Sequence, residues 1–244
     1  MDFPRLNLHI HSKYSDGRNS IKQIVRESIE YGLNYIAITD HFTNSWKASV
    51  IPTLNSKEKL TNYILEINQC QNYLKRKNIN LRLFKGIEID ISSSESYILN
   101  LINPYKFDII LFEYLESPEG IAFIKNILKS WKKKNHPNKN FPILGLAHFD
   151  PSFFIYSYFD VLIPFLKEYN IYFEFNSSYS QYYARKFQDF FLKLKESSIL
   201  VAIGCDSHNL LDLMNIEEPF NKIRDYELEG NLGKLINLLE SRED

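Results

Sequence analysis

Seven short apolar runs, rich in β-branched and aromatic residues, recur along the 244 residues: Leu6–Ile10, Tyr35–Thr39, Leu81–Ile89, Phe107–Phe112, Ile143–Ala147, Ile171–Phe175 and Leu200–Gly204. Between them lie longer segments with apolar residues at helical spacing, the pattern of repeated strand–helix units around a mainly parallel sheet. Seven such strands make an open sheet or a barrel. Ser20 is placed to cap a helix that runs through Tyr31 and is closed by Gly32, with Ile21, Ile24, Val25, Ser28 and Ile29 on one face. Ser56 is placed to cap a second, charged helix whose Leu60, Ile64, Ile67 and Leu74 point inward. Similar patterns follow Pro118, Ser157 and Ser180, and a last helix runs from about Leu232 to Glu240. No tandem repeat, low-complexity tract or Gly/Ser linker divides residues 1–244, which read as one domain.

The placement of chemistry-bearing residues constrains function. Six of the runs end in, or lead straight into, residues that bind metals or phosphates: His9 and His11, Asp40-His41, Glu88 with Asp90, Glu113, His148 with Asp150, and Asp206-Ser207-His208. A parallel barrel or sheet assembles its site from the carboxyl ends of its strands, so residues scattered along the chain converge there. Five of the six histidines fall at such ends, whereas His136 sits in a loop before its strand, on the opposite rim. His9 and His11, two apart, share a strand face and present both imidazoles to one point, and the Asp16-Gly17 turn adds a hard carboxylate oxygen.

Composition narrows the alternatives. A net charge of −1 gives no electrostatic footprint for duplex nucleic acid or an anionic membrane. Cys70 and Cys205 are too few for a disulfide framework, and no Cys-x-x-Cys pair points to structural zinc. With no apolar run near the ~18 residues of a membrane helix and no secretion signal, a cytoplasmic protein with reduced thiols is expected. The acceptor-like triplet Asn176-Ser177-Ser178 is then a coincidence. There is no Gly-rich phosphate loop, and Cys205 has no closely following arginine to form a phosphate-binding thiolate loop. Ser207, between two candidate ligands on a strand end, should face away from them as a structural hydroxyl.

The motifs His9-Ile-His11 through Ser15-Asp16-Gly17, Ile38-Thr39-Asp40-His41, Gly86-Ile87-Glu88, Ala147-His148, Glu174-Phe-Asn176 and Gly204-Cys205-Asp206-Ser207-His208 resemble the PHP (polymerase and histidinol phosphatase) family, in order and over nearly the whole chain. The resemblance implies a distorted (β/α)7 TIM-like barrel carrying two or three divalent ions, zinc, manganese or iron, and hydrolysing phosphate esters. It implies that His9 and His11 bind one metal with Glu88 and Asp206. Glu88 would bridge to a second metal held by His148, and Asp16, His41 and His208 would hold a third. Asp40 would orient the ligands from behind rather than bind. The sequence departs from the family after the fourth strand, where a histidine is usual and Leu111-Phe112-Glu113-Tyr114-Leu115-Glu116 stands instead. Glu113 either replaces that histidine, tilting the site toward manganese, magnesium or iron, or is a solvated loop carboxylate beside a weak or absent second metal.

Metal ions close together would lower the pKa of a shared water and supply hydroxide, so no protein nucleophile is needed. Arg18, Arg185 and Asn176 are candidates for substrate contact, and Tyr179, Tyr182, Tyr183, Trp46 and Lys47 for an aromatic wall, most of which should instead pack helix on barrel. Lys132, Lys133 and Lys134 read as a solvated helix end. The leading expectation is a hydrolase of a small phosphate monoester, with a histidinol-phosphatase-like activity as one candidate. A nucleotide or oligonucleotide-end phosphoesterase is the alternative, and a non-catalytic barrel that binds metal or a partner is a further one.

Overall fold

A computed structural model describes residues 3–133, 140–154 and 159–242; Lys134, His136 and Ser157 lie outside the described residues. In chain order the elements are β1 (Leu6–Ile10), α1 (Ile21–Glu30), β2 (Tyr35–Ile38), β3 (His41–Phe42), α2 (Lys57–Lys77), β4 (Arg82–Asp90), α3 (Glu95–Leu101) and β5 (Ile109–Glu113). There follow α4 (Pro118–Lys133), β6 (Ile143–Leu146), α5 (Phe159–Tyr169), β7 (Ile171–Asn176), α6 (Gln188–Glu196), β8 (Val201–Gly204), α7 (Glu217–Asp225) and α8 (Glu229–Glu240). Every strand pairing is parallel, in the order β1-β2-β4-β5-β6-β7-β8, with β3 extending the sheet by pairing with β4.

The sheet curls into a nearly closed barrel of seven strands, as expected. Its seam is a bridge between Ile10 and Ser207, where the His11 amide donates to Ser207 O at 2.9 Å and the Ser207 amide to His9 O at 3.2 Å. Buried Asn7 stitches the seam below this point: its Nδ2 donates to Ser207 Oγ at 3.1 Å and to Leu213 O at 3.2 Å, and its Oδ1 accepts from the Cys205 amide at 3.1 Å. The Ser207 hydroxyl is thus turned away from the cavity and is structural.

All seven expected runs are strands, buried on both faces because helices cover the outside and side chains fill the inside. The run Tyr35–Thr39 stops at Ile38, and the chain resumes as β3 at His41, carrying that histidine one step along β4. Tyr63 of α2, absent from the expected inward face, spans this break; its hydroxyl lies 2.7 Å from Ile38 O and 2.8 Å from Gly86 O. Ser20 caps α1 in a reciprocal box with Gln23, and Gly32 beyond it has the left-handed φ of 66° that closes a helix. Ser56 caps α2. The helix expected straight after Ser180 starts only at Gln188, because Ser177–Tyr183 and Arg185–Phe187 form 3-10 turns first. The last helix begins at Glu229, and the short α3 and α7 were not anticipated at all. Among the described residues no helix is long and apolar enough to cross a membrane.

Candidate active site

The carboxyl ends of the strands deliver His9 and His11 (β1), His41 (β3), Glu88 (β4), Glu113 (β5), His148 (after β6), Asp206 and His208 (after β8) to one cavity floor, with Asp16 arriving from the loop after β1. The cavity above measures about 380 Å³ and is lined by Asp16, His41, Lys47, Glu113, His148, Asp206 and His208, with Tyr114, Phe153, Tyr179 and Tyr182 on its walls. Among the described residues three groups converge closely enough to hold a metal ion: His11, Asp16, His41 and His208; His9, His11 and Asp206; and His41, Glu88 and Glu113.

At the centre, His9 Nε2 and His11 Nε2 stand 3.0 Å apart, and His9 Nε2 is 3.3 Å from Glu88 Oε1 and 3.5 Å from Asp206 Oδ1. His11 Nε2 is 2.9 Å from Asp206 Oδ1. Ligand atoms bonded at ~2.0–2.2 Å to one tetrahedral ion lie roughly 3.4 Å apart, which these separations bracket. Two facts about this chain fit the group. Imidazole nitrogens 3.0 Å apart need a shared proton or cation between them. Glu88 is fully buried, yet neither of its oxygens makes a hydrogen bond of good geometry, although His41 Nδ1 stands 2.6 Å and His148 Nε2 3.2 Å away. In the outer group, His208 Nε2 is 3.2 Å and His41 Nε2 3.7 Å from Asp16 Oδ2, and His11 Nδ1 is 3.7 Å from Asp16 Oδ1.

Carboxylates behind the histidines set their orientation. Glu174 of β7, missing from the expected site list, accepts from His9 Nδ1 at 3.0 Å and from the His148 amide at 2.7 Å. His148 and Asp206 both hold left-handed backbones, at φ 33° and φ 48°, a strained conformation that costs on the order of 1–3 kcal/mol each. The bond from the His148 amide to Glu174 holds one of them. Asp40 is buried, and it accepts from the amides and hydroxyls of Ser12 and Ser15 at 2.6–3.0 Å and so fixes the loop between His11 and Asp16. In the same loop, Gly17 packs so close that a Cβ there would sit 2.3 Å from His11 O. A buried acid two residues before Asn176 on an apolar strand was the available signal for Glu174.

Several expected substrate contacts are placed elsewhere. Asn176 is fully buried, its amide donating to Glu174 Oε2 at 3.0 Å, so it supports Glu174 rather than meeting a substrate. Burial also removes it as a glycosylation acceptor in the folded chain. Arg18 and Arg185 are exposed and do not line the cavity. Glu113 is not a solvated loop carboxylate: it ends β5 with 0% exposure. Tyr183 is core, with its hydroxyl donating to Asn176 O, and Trp46 is 66% exposed, whereas Tyr179 and Tyr182 do face the cavity. Asp90 and Asp150 cap local turns, accepting from the Ser92 and Ser152 amides, and Asp150 also lines the cavity. The Cys205 thiol is pushed up to about 12 by burial, far from a nucleophile.

In the metal-free protein the surrounding carboxylates push most of the site's histidines upward. Burial opposes the charge on His41, but Glu88 and Glu113 outweigh it and raise its pKa to about 10. Burial likewise disfavours charged His9, which Glu174, Glu88 and Asp206 nonetheless raise well above the ordinary range. His11 goes the other way, lowered to about 4 by burial and by the neighbouring His41. Burial would raise the Glu88 carboxyl, but His41 and His9 hold it well below the usual range. Imidazolium offers an ion no lone pair, so metal affinity should fall as pH drops below the raised histidine values, and metal uptake near pH 7.5 should release protons. Calorimetric metal titrations in buffers of different protonation enthalpy check this; heats independent of buffer would mean that the histidines are already neutral.

The chain is similar over 92% of its length to the histidinol phosphate phosphatase of Lactococcus lactis, solved with zinc, L-histidinol and phosphate, at 18% identity and a TM-score of 0.63; 94% of that chain is covered. It is similar to the HisK protein of Listeria monocytogenes at 17% identity and a TM-score of 0.61, covering 86% of this chain and 97% of that one. These likenesses establish the barrel. In sequence, 85 residues are 38% identical to the DNA polymerase/3'-5' exonuclease PolX of Bacillus subtilis, a match covering 35% of this chain and only 14% of that protein. The PHP domain family model matches residues 7–239, and the chain accordingly belongs to the PHP domain family.

Proposed function

We propose that this chain is a metal-dependent phosphoesterase that hydrolyses a small phosphate monoester, with a histidinol-phosphatase-like substrate as one candidate. The observation that carries the reading is the convergence of His9, His11, Asp16, His41, Glu88, His148, Asp206 and His208 on the floor of a single small cavity. Divalent ions bound there supply Lewis acidity to phosphate oxygens and lower the pKa of a water for in-line attack. The chain itself does the positioning. Glu174 holds His9 by Nδ1 and so presents Nε2 to the cavity. Asp40 clamps the loop carrying Asp16, and the strand ends fix the remaining ligands. The cavity, about 380 Å³, has room for a phosphate and a compact leaving group, which Tyr114, Tyr179 and Tyr182 would shield from water. The fold and family of the Lactococcus lactis enzyme, whose structure holds histidinol and phosphate, agree with this choice.

A second reading, a nucleotide or oligonucleotide end as substrate, draws on one feature. The Tyr179 and Tyr182 rings are stacked with centroids 5.5 Å apart and planes 14° apart, and both line the cavity, where a base could join the stack. A phosphate-release screen across sugar, amino-alcohol and nucleotide monoesters with added zinc or manganese decides between them. Release from one monoester class, abolished in His11→Ala and Asp206→Asn proteins that keep their circular dichroism, is expected. Undiminished release in both variants, or none from the wild type, rejects the proposal and in the second case favours a metal-binding barrel without chemistry.

A further inference from the structure

We infer that the Lys47 ammonium takes the place of a metal ion at the third ligand group, so that the protein carries two divalent ions and one fixed lysine charge around its cavity. This rests on the phosphoesterase reading only for its consequence, not for its geometry. Of the three groups able to hold an ion, the one formed by His41, Glu88 and Glu113 has a cation of the protein's own seated against it. Lys47 Nζ is 2.7 Å from Glu113 Oε2 and 3.0 Å from Oε1, gripping both oxygens, and 3.3 Å from His41 Nδ1. It also lies over the Tyr114 ring, 5.2 Å from the centroid. His41 Nδ1 meanwhile faces Glu88 Oε2 at 2.6 Å, leaving Nε2 for the outer group with Asp16. An ion bound to Glu113 would have to share both carboxylate oxygens with the ammonium already seated against them.

Lys47 is not a surface lysine that has folded inward by accident. Its side chain is 13% exposed and its partner Glu113 is 0% exposed, so the lysine balances a buried carboxylate that His41 Nδ1 also approaches, at 3.4 Å. The 3-10 turn Trp46–Ser49 that carries it is capped by Ser45, and the approach to that turn is tied to the end of β4. There Asp90 Oδ2 accepts from Thr43 Oγ1 at 2.8 Å and from the Ser45 hydroxyl, while Ser93 Oγ bonds Thr43 Oγ1 at 3.0 Å and accepts from the Asn44 amide at 3.1 Å. Asp90 is therefore the residue that anchors the lysine, which explains a buried acid that no ligand group uses. Lys47 also lines the cavity beside His148 and Asp206, where an ammonium acts as a point charge for a phosphate oxygen.

The test counts ions in the absence of substrate, so it is independent of whether any ester is cleaved. Metal-free wild type, Lys47→Met and Glu113→Gln proteins are titrated with zinc by calorimetry, and bound metal is measured by elemental analysis after desalting. Two equivalents are expected for the wild type, a third for Lys47→Met, and an unchanged two for Glu113→Gln. Three equivalents in the wild type, no gain in Lys47→Met that keeps its circular dichroism, or loss of an ion in Glu113→Gln each overturns the inference. Two ions in the wild type without hydrolysis would sink the phosphoesterase reading and leave the lysine assignment standing.

Discussion

Replacing Glu88 with glutamine is expected to remove at least one bound divalent ion and to lower phosphate-ester hydrolysis by about a thousandfold or more. Glu88 is the one side chain in contact with four of the site's histidines: His9 at 3.3 Å, His11 at 3.6 Å, His41 at 2.6 Å and His148 at 3.2 Å. It lies at 0% exposure, where an amide keeps the shape and loses the charge. Lewis-acid stabilisation of a phosphoryl transition state is worth several kcal/mol, and each ~1.4 kcal/mol is a factor of ten. The expected sign for the fold is milder, because the same substitution relieves an ionised group of burial. Metal content and initial rate on the same preparation make the measurement. Near-wild-type values for both would show that the buried carboxylate balances histidine charge and holds no ion.

Gly204→Ala should also be damaging, though Gly204 carries no functional group. A Cβ at this position would lie 1.9 Å from Glu174 Oε1 and 2.8 Å from His9 Cβ, so the carboxylate that fixes His9 must move. Overpacking of this kind typically costs about 1–3 kcal/mol of stability. Loss of a carboxylate behind a metal-bound histidine costs roughly 10–100-fold in metal affinity or activity. Both losses are expected together, read from a thermal melt and from zinc affinity. Wild-type zinc affinity in a destabilised variant would mean that Glu174 does not set the orientation of His9.

What could be read from the chain divides along physical lines. The barrel was legible because short, continuously apolar runs such as Ile143–Ala147 or Ile171–Phe175, the mark of strands buried on both faces, alternate with longer stretches of helical period. The residues that gather at the cavity were legible because chemistry at strand ends breaks the apolar pattern just where the pattern stops. The two-residue β3 is too short to carry a period, and α3 and α7 are short helices inserted where a loop would serve. The role of Glu174 within its motif is not legible, since a strand position says which face a side chain takes but not what stands opposite it. The role of Lys47 is hidden for the same reason: its partner Glu113 is 66 residues away. Left-handed backbones at His148 and Asp206 leave no mark in composition, because neither residue is a glycine.

The seam between β1 and β8 gives the site a topological character. Asn7 and Ser207, bonded across it, are 200 residues apart in the chain, and the ligand pairs His9–Asp206 and His11–Asp206 straddle the same line. Closing a loop of that length removes on the order of 5 kcal/mol of chain entropy in the polymer picture, so in folding this join is expected to come late, after the interior strands have paired. An ion held by β1 and the segment after β8 is then a clasp between the two ends of the chain. Opening such a clasp would free the ion, so metal exchange is expected to follow the opening of the seam while the remainder of the barrel stays intact.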